Sequence, residues 1–333
     1  MLKEFIINKN DAGQRLDRFV GKVVPALPSS LVQKYIRIKR IKVNGKGSRR
    51  DHKLVVGESV QLYVSDKFFV SAKENKASTQ KKAVASPLTI SKIKLDILYE
   101  DANILLLNKP AGILCYDTHD LDNNTLINNL HAYIESSGQW RARDENSFSP
   151  ALCNRIDRNT SGIVIAAKNA ESLRIINDKI KHREIDKFYL AAVHGIPSPE
   201  AGALTGYLHK DGKRNLVKVT KDEVPGSKYA ETEYKTLETS NKIEGFPFAL
   251  LECRLITGRT HQIRAQFANF CHPLLGDIKY GDKKLNEPFK EAHQALCSYK
   301  IVFAFTSDAG VLSYLDGKSF QLNKIPFVDK YFT

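Results

Sequence analysis

The string Asn154-Arg155-Ile156-Asp157-Arg158-Asn159-Thr160-Ser161-Gly162 sets one carboxylate between two guanidinium groups and then runs into a Thr-Ser-Gly turn. An opposite charge within a few ångströms favours the ionised form of a carboxyl group. Asp157 is therefore a candidate nucleophile or general base. The run that follows, Ile163 to Ala167, is short and β-branched and reads as a buried strand. The polar string is then a loop feeding that strand, and loops on rigid scaffolds often carry chemistry. Taken alone, a salt-bridged surface turn would use the same residue types.

Two later stretches carry groups of comparable interest. Tyr189 lies in the apolar run Asp186 to Val193, where a tyrosine is either a core residue with a satisfied hydroxyl or a stacking surface. Arg259, His261, Gln262 and Arg264 crowd the segment Leu255 to Arg264, which leads into a helix through Phe270.

These stretches resemble the signatures of the RluA family of pseudouridine synthases. That family's usual catalytic string is His-Arg-Leu-Asp-x-x-Thr-Ser-Gly. Arg155, Asp157, Thr160, Ser161 and Gly162 fit it, while Asn154 and Ile156 depart from it. Lys187, Tyr189, Ala191 and Gly195 match the family's Lys-x-Tyr-x-Ala…Gly. The most specific match is Leu255-Ile256-Thr257-Gly258-Arg259-Thr260-His261-Gln262-Ile263-Arg264, followed by His272-Pro273-Leu274-Leu275-Gly276-Asp277 and Tyr280-Gly281. The resemblance also takes in Tyr99-Glu100-Asp101 with Lys109-Pro110-Ala111-Gly112, and the run His293 to Phe303. It implies Asp157 as the essential catalytic residue, Tyr189 as the aromatic that stacks on the target uracil, and Arg264 as the cation paired with Asp157. Arg155, Arg259, His261 and Gln262 are then candidates for substrate contacts. Asp157 could attack the sugar, attack the base or support a glycal route, and the residues fit all three.

These groups need a scaffold, and the sequence supplies one. Leu95 to Asp117 reads as strand, turn and strand ending in the Lys109-Pro110 step, with Lys109 extended before the proline. Thr125 to Ser136 and Ala170 to Lys181 have helical spacing. A hairpin is expected around Asp211-Gly212. Strands are expected at Tyr229 to Leu237, Phe246 to Ile256, Ser298 to Phe305 and Val311 to Leu315. Neither a phosphate-binding glycine loop nor a βαβ repeat is present, which argues against a nucleotide-cofactor fold.

Charge divides the chain. Of 333 residues, the first 70 hold 15 Lys/Arg against 6 Asp/Glu, and residues 71–95 hold 6 against 1. The remaining 238 are balanced at 30 and 30, so the net charge of +14 belongs to the N-terminal part. A basic head on a neutral body suits a polyanion partner. In that head, helical runs at Arg15–Val24 and Leu31–Ile36 precede Ile41-Lys42-Val43-Asn44-Gly45, a hairpin signal. Lys34, Arg37, Lys39, Arg40 and Lys42 cluster there as candidate phosphate contacts. The order of these elements resembles the S4-like RNA-binding domain that commonly precedes RluA-type catalytic domains.

The expected class is α+β. A small α/β RNA-binding domain would span 1–70, a flexible basic linker rich in Ser, Ala and Lys 71–92, and a pseudouridine synthase catalytic domain 93–333. The last would hold a large, mostly antiparallel mixed sheet flanked by helices. The five cysteines, Cys115, Cys153, Cys253, Cys271 and Cys297, are scattered and read as free buried thiols of a reducing compartment. No metal site and no cofactor are expected. The N-terminus lacks the apolar core of a signal peptide, and no run reaches the ~20 apolar residues of a membrane span, so a cytoplasmic monomer is expected. The reaction implied is isomerisation of uridine to pseudouridine in structured RNA, with large-subunit ribosomal RNA the expected substrate and transfer RNA the other candidate. The competing expectation is an RNA-binding assembly factor with an inactive synthase body.

Overall fold

The alternating and β-branched runs form strands at nearly every expected place. The computed structural model describes residues 2–69, 95–117, 124–212 and 216–332. The linker expected at 71–92 lies outside the described residues. The fold is α+β and divides into two units. The first holds the described residues of Met1–Ile93 with Asn129–Pro150 and Lys168–Glu171; the second holds those of Lys94–Asn128, Ala151–Ala167 and Ser172–Thr333.

In the first unit, β1 (Leu2–Ile6), β2 (Ile41–Val43), β3 (Lys46–Gly47) and β4 (Ser59–Tyr63) form an antiparallel sheet in the order β1-β4-β2-β3. Asn44 and Gly45 both take positive φ, 49° and 76°, which is what a two-residue turn between twisted strands requires. Two helices, α1 (Leu16–Val23) and α2 (Ser29–Arg37), put Leu16, Phe19, Val20, Val32 and Ile36 into a core with Ile41, Val60 and Leu62. The residues at 145–147 belong to this unit through polar contacts. Buried Asp11 accepts from Ser147 Oγ at 2.5 Å and Asn146 Nδ2 at 2.6 Å, and Glu145 accepts from Asn10 Nδ2 at 2.6 Å.

The second unit is built on an eleven-stranded mixed sheet. Its strands are β5 (Ile97–Glu100), β6 (Ile104–Lys109), β7 (Ala151–Leu152), β8 (Ser161–Ala167), β9 (Ile185–His194), β10 (Ala201–Asp211), β11 (Leu216–Thr220), β12 (Lys228–Ser240), β13 (Phe248–Leu255), β14 (Leu296–Phe303) and β15 (Ser319–Gln321). The order is β11-β10-β12-β13-β9-β14-β8-β6-β5, with β7 on β8 and β15 on β14. Every pairing is antiparallel except the short one between β8 and β14. The helices α3 (Leu126–Ser136), α4 (Ala170–Lys181) and α5 (Gln262–Asn269) fall where the periodicity placed them.

Two expectations fail. Val311–Leu315 is not a strand but part of a 3-10 turn, Gly310–Leu315. Leu312 and Leu315 are three apart, so one tight turn buries both on the same side, and the terminal strand is β15 instead. Cys271 is exposed rather than buried, although all five thiols are free. Among the described residues no helix is long and apolar enough to cross a membrane.

The start of β9 is fixed by a buried ion pair. Lys179 Nζ donates to Glu184 Oε2 at 2.8 Å and to Ser307 O and Oγ, both at 2.6 Å. Glu184 also accepts from the N–H groups of Thr306 and Ser307 at 2.8 and 3.1 Å. Lys179 and the hydroxyl and N–H groups at 306–307 hold the Glu184 carboxyl down at about 2, against an ordinary 4.5. A carboxyl lowered in the fold stabilises it above its unfolded value, and that contribution fades as pH falls toward the folded value. Glu184→Gln should therefore lower the urea midpoint at pH 6, and the gap from wild type should narrow between about pH 4.5 and 2. A gap that stays constant down to pH 2 would contradict this role.

Candidate active site

Three distant segments meet over the middle of the large sheet. The loop at 154–160 stands before β8, Tyr189 lies on β9, and α5 follows the loop after β13. Together they line a cavity of about 530 Å³. That is the size of a site for a small ligand or one nucleoside.

The loop is held from below. Lys109 is fully buried, and its ammonium donates to the carbonyls of Pro110, Ile113 and Arg158 at 2.8, 2.8 and 2.9 Å. Burial pulls its pKa down to about 8. The Gly112 N–H and the Cys115 thiol add donors to Arg158 O and Ile156 O, at 2.9 and 3.5 Å. Asn154, where the family pattern has histidine, accepts the Ile165 N–H on its side-chain oxygen at 2.8 Å, and Ile156 is buried. Both departures thus sit at anchoring positions of the loop.

Gly162 explains how β8 reaches its place. The parallel contact pairs Cys297 with Ser161 and Ser298 with Gly162. Gly162 has φ +115°, and a Cβ there would stand 2.2 Å from Ser298 O. Only glycine permits this approach.

Asp157 itself is partly exposed to the cavity. Arg264 Nη1 donates to its Oδ2 at 3.3 Å, and His261 Nε2 lies 4.0 Å from the same atom. Arg264 is the pivot. Its Nε and Nη2 form a two-pronged contact with Asp277 Oδ2 and Oδ1 at 2.7 and 2.9 Å. Asp277 is fully buried and also accepts the N–H groups of Lys279 and Tyr280. Burial opposes the charge on both partners, yet their mutual contact wins: the Asp277 carboxyl moves below its ordinary value and the Arg264 guanidinium above. The Tyr280 ring faces the Arg264 guanidinium at 5.2 Å, and its hydroxyl meets His261 Nδ1 at 2.8 Å. Burial, with Arg264 and Lys279 adding to it, lowers His261 below its ordinary 6.5 despite Asp157 and Asp277, so the imidazole is neutral at pH 7. His261 takes φ +53° at the start of α5, a left-handed conformation that turns its ring toward the cavity loop.

Tyr189 is 6% exposed and lines the cavity, paired on β13 with Cys253 and on β14 with Ser298. Burial pushes its phenol far up, so it stays protonated. Arg155 and Arg259 are exposed at the rim, Arg259 Nε donating to Tyr229 O at 3.0 Å, and Lys181, Arg183 and Lys187 complete a cationic border. Gln262 is placed differently from the other candidates. Its amide nitrogen donates to Glu231 O and Thr232 Oγ1, and its oxygen accepts from Thr257 Oγ1 and Arg259 N. It is buried in the cavity wall, and its amide bonds brace the loop.

Two residues escaped assignment from the sequence: Asp277 and Tyr280 both stood in matched motifs without a role. A buried arginine demands a carboxylate, but nothing local says which one answers it.

The basic cluster lies in the first unit. Lys34 and Arg37 line a cleft of about 630 Å³ with Arg49, Arg50, Ser30 and Gln33. Lys39 and Arg40 are exposed on the turn after α2, and Arg40 and Lys42 lie over the rings of Tyr35 and Tyr63 at 5.6 and 5.2 Å.

The chain is similar to several known proteins. Residues 103–269 match the family described as RNA pseudouridylate synthase. A protein of Mycoplasma genitalium named as an uncharacterized RNA pseudouridine synthase is 31% identical over 98% of this chain and 97% of its own. The ribosomal large subunit pseudouridine synthase C of Escherichia coli is 31% identical over 89% of this chain and 85% of its own. Among solved structures, human RNA pseudouridylate synthase domain containing 4 has the same fold, with a TM-score of 0.53, 19% identity, and coverage of 78% of this chain and 94% of that one.

Proposed function

Since this chain belongs to the RluA-type RNA pseudouridine synthases, we propose that it acts on large-subunit ribosomal RNA with Asp157 as its catalytic carboxylate. The observation that supports this role is the Asp157–Arg264 contact inside a cavity of nucleoside size. The substrate proposal leans on the Escherichia coli relative, whose name specifies that subunit.

The chemistry breaks the N1–C1′ bond of uridine, turns the ring, joins C5 to C1′, releases the C5 proton to solvent and leaves N1 protonated by a proton from solvent. Uridine must first leave its stack, at a cost of a few kcal/mol. Asp157 then acts at the sugar or the base, paired with Arg264 and aimed by it. Asp277 holds Arg264 from behind, so the guanidinium is placed before substrate arrives. Tyr189, protonated and fixed between β13 and β14, offers its ring to the detached uracil. Arg155 and Arg259 at the rim suit phosphates, His261 lies beside the carboxylate as a neutral contact, and Gln262 braces the loop that carries them. No cofactor enters this scheme.

The test is tritium release from ribosomal RNA transcripts labelled at carbon 5 of uridine. Release from the large-subunit transcript supports the assignment. Release from transfer RNA alone would overturn it, and binding without release from any RNA would favour an inactive assembly factor.

The first unit is proposed as an S4-like grip on RNA. Exchanging Arg37, Lys39, Arg40 and Lys42 together for Gln should weaken binding and flatten its salt dependence, by roughly 0.7–0.9 in log–log slope for each phosphate no longer neutralised. An unchanged slope would remove these residues from the interface.

A further inference from the structure

A uridine drawn into the cavity leaves a gap in the RNA stack, and nucleic-acid enzymes and architectural proteins commonly meet such gaps with an inserted side chain. We propose that Ile278 is the apolar wedge that enters the opened stack while uridine occupies the Asp157 cavity. The inference rests on the synthase reading of that cavity.

Ile278 is 84% exposed, whereas the next most exposed large hydrophobic residues described, Ile6 and Val55, reach 59%. Scattered surface hydrophobes are ordinary. This one stands on a tight turn, where Gly, Asn, Asp and Pro are the favoured residues and a β-branched aliphatic gains nothing from the fold.

The turn is rigid. Gly281 N–H donates to Asp277 O at 2.9 Å, and the Lys279 and Tyr280 N–H groups donate to Asp277 Oδ1 at 2.9 and 3.1 Å. Asn286 clamps the preceding peptide, accepting from Gly276 N at 2.8 Å and donating to Asp277 O at 3.2 Å. A β-branched side chain is also stiff at χ1, so insertion would freeze little further motion.

The turn belongs to the active site. Asp277 grips Arg264, Tyr280 reaches His261, and the Lys279 ammonium lies within electrostatic reach of both Asp157 and Arg264. Ile278 is the member of this turn that points to solvent. An apolar tip beside a lysine suits a stacked base step with its phosphate.

The probes are carbon-5-tritiated transcripts: the RNA that wild type modifies, and the same RNA with abasic residues on both sides of the target so that no stack remains to be opened. Ile278→Ala should lower kcat/KM at least tenfold on the intact RNA and less than twofold on the abasic one. Ile278→Met should recover most of the loss. Ile278→Ala acting as wild type on intact RNA, or losing the same factor on both RNAs, would overturn the wedge. The side chain is exposed, so the variants keep the fold. Failure of the ribosomal assignment shows separately, as absent wild-type release from large-subunit transcripts, and the ratio is then measured on whichever RNA wild type does turn over.

Discussion

Asp157→Asn should remove turnover, by roughly 10⁴-fold or more, while leaving RNA affinity nearly unchanged. The substitution is nearly isosteric and takes away only the charge and one carboxylate oxygen. Its consequences for the fold are small because Arg264 does not depend on Asp157 for neutralisation: the two-pronged contact at 2.7 and 2.9 Å goes to Asp277, and Asp157 receives a single longer bond at 3.3 Å. The cationic rim is untouched, so phosphate contacts persist. Tritium release and filter binding on one RNA measure both halves. Residual turnover within tenfold of wild type would sink the role assigned to Asp157, and a failure to bind would show that the carboxylate shapes the cavity instead.

Arg264→Leu should fail differently, losing stability as well as turnover. It leaves the Asp277 carboxylate fully buried without its cation, a change that costs about 3–5 kcal/mol in comparable buried pairs. The second substitution Asp277→Asn removes the stranded charge yet keeps an oxygen for the Lys279 and Tyr280 N–H groups. The double variant should therefore recover more than half of the missing stability in urea. Turnover should stay absent in both, because Asp157 has been deprived of the group that aims it. A double variant that regained turnover would reduce Arg264 to a structural residue; a single variant as stable as wild type would contradict the buried-pair account.

These two variants also mark what could be read from the chain. The Asp157 loop and the Thr257–Arg264 segment were legible through their resemblance to a family's strings; the residue types alone, a carboxylate between two arginines and a run of polar groups entering a helix, fit a salt-bridged turn and a capped helix as well. Strands and helices followed from period and turn chemistry, as at Asn44-Gly45. Asp277 was not legible as the anchor, since its pairing with Arg264 spans two turns of chain that meet only in three dimensions. The bracing by Gln262 was not legible either: its four bonds run to Glu231, Thr232, Thr257 and Arg259, and no local string foretells the first two. Val311 to Leu315 shows the limit of apolar runs, where five residues fit a strand and a tight turn equally well. The tie of Asn146 and Ser147 to Asp11, and of Glu145 to Asn10, runs through polar side chains far apart in sequence, which no periodicity encodes.

The two-residue parallel contact between β8 and β14 joins Gly162 to Ser298, more than a hundred positions later in the chain. Loop closure of that length makes such a pairing a late event in folding. Arg264 likewise lies far downstream of Asp157. During synthesis, then, a nascent polypeptide exposes Asp157 long before the arginine and the last cavity wall leave the ribosome. An interrupted chain carries Asp157 but neither Arg264 nor the pocket around it, so the proposed site exists only once the later segments have been made.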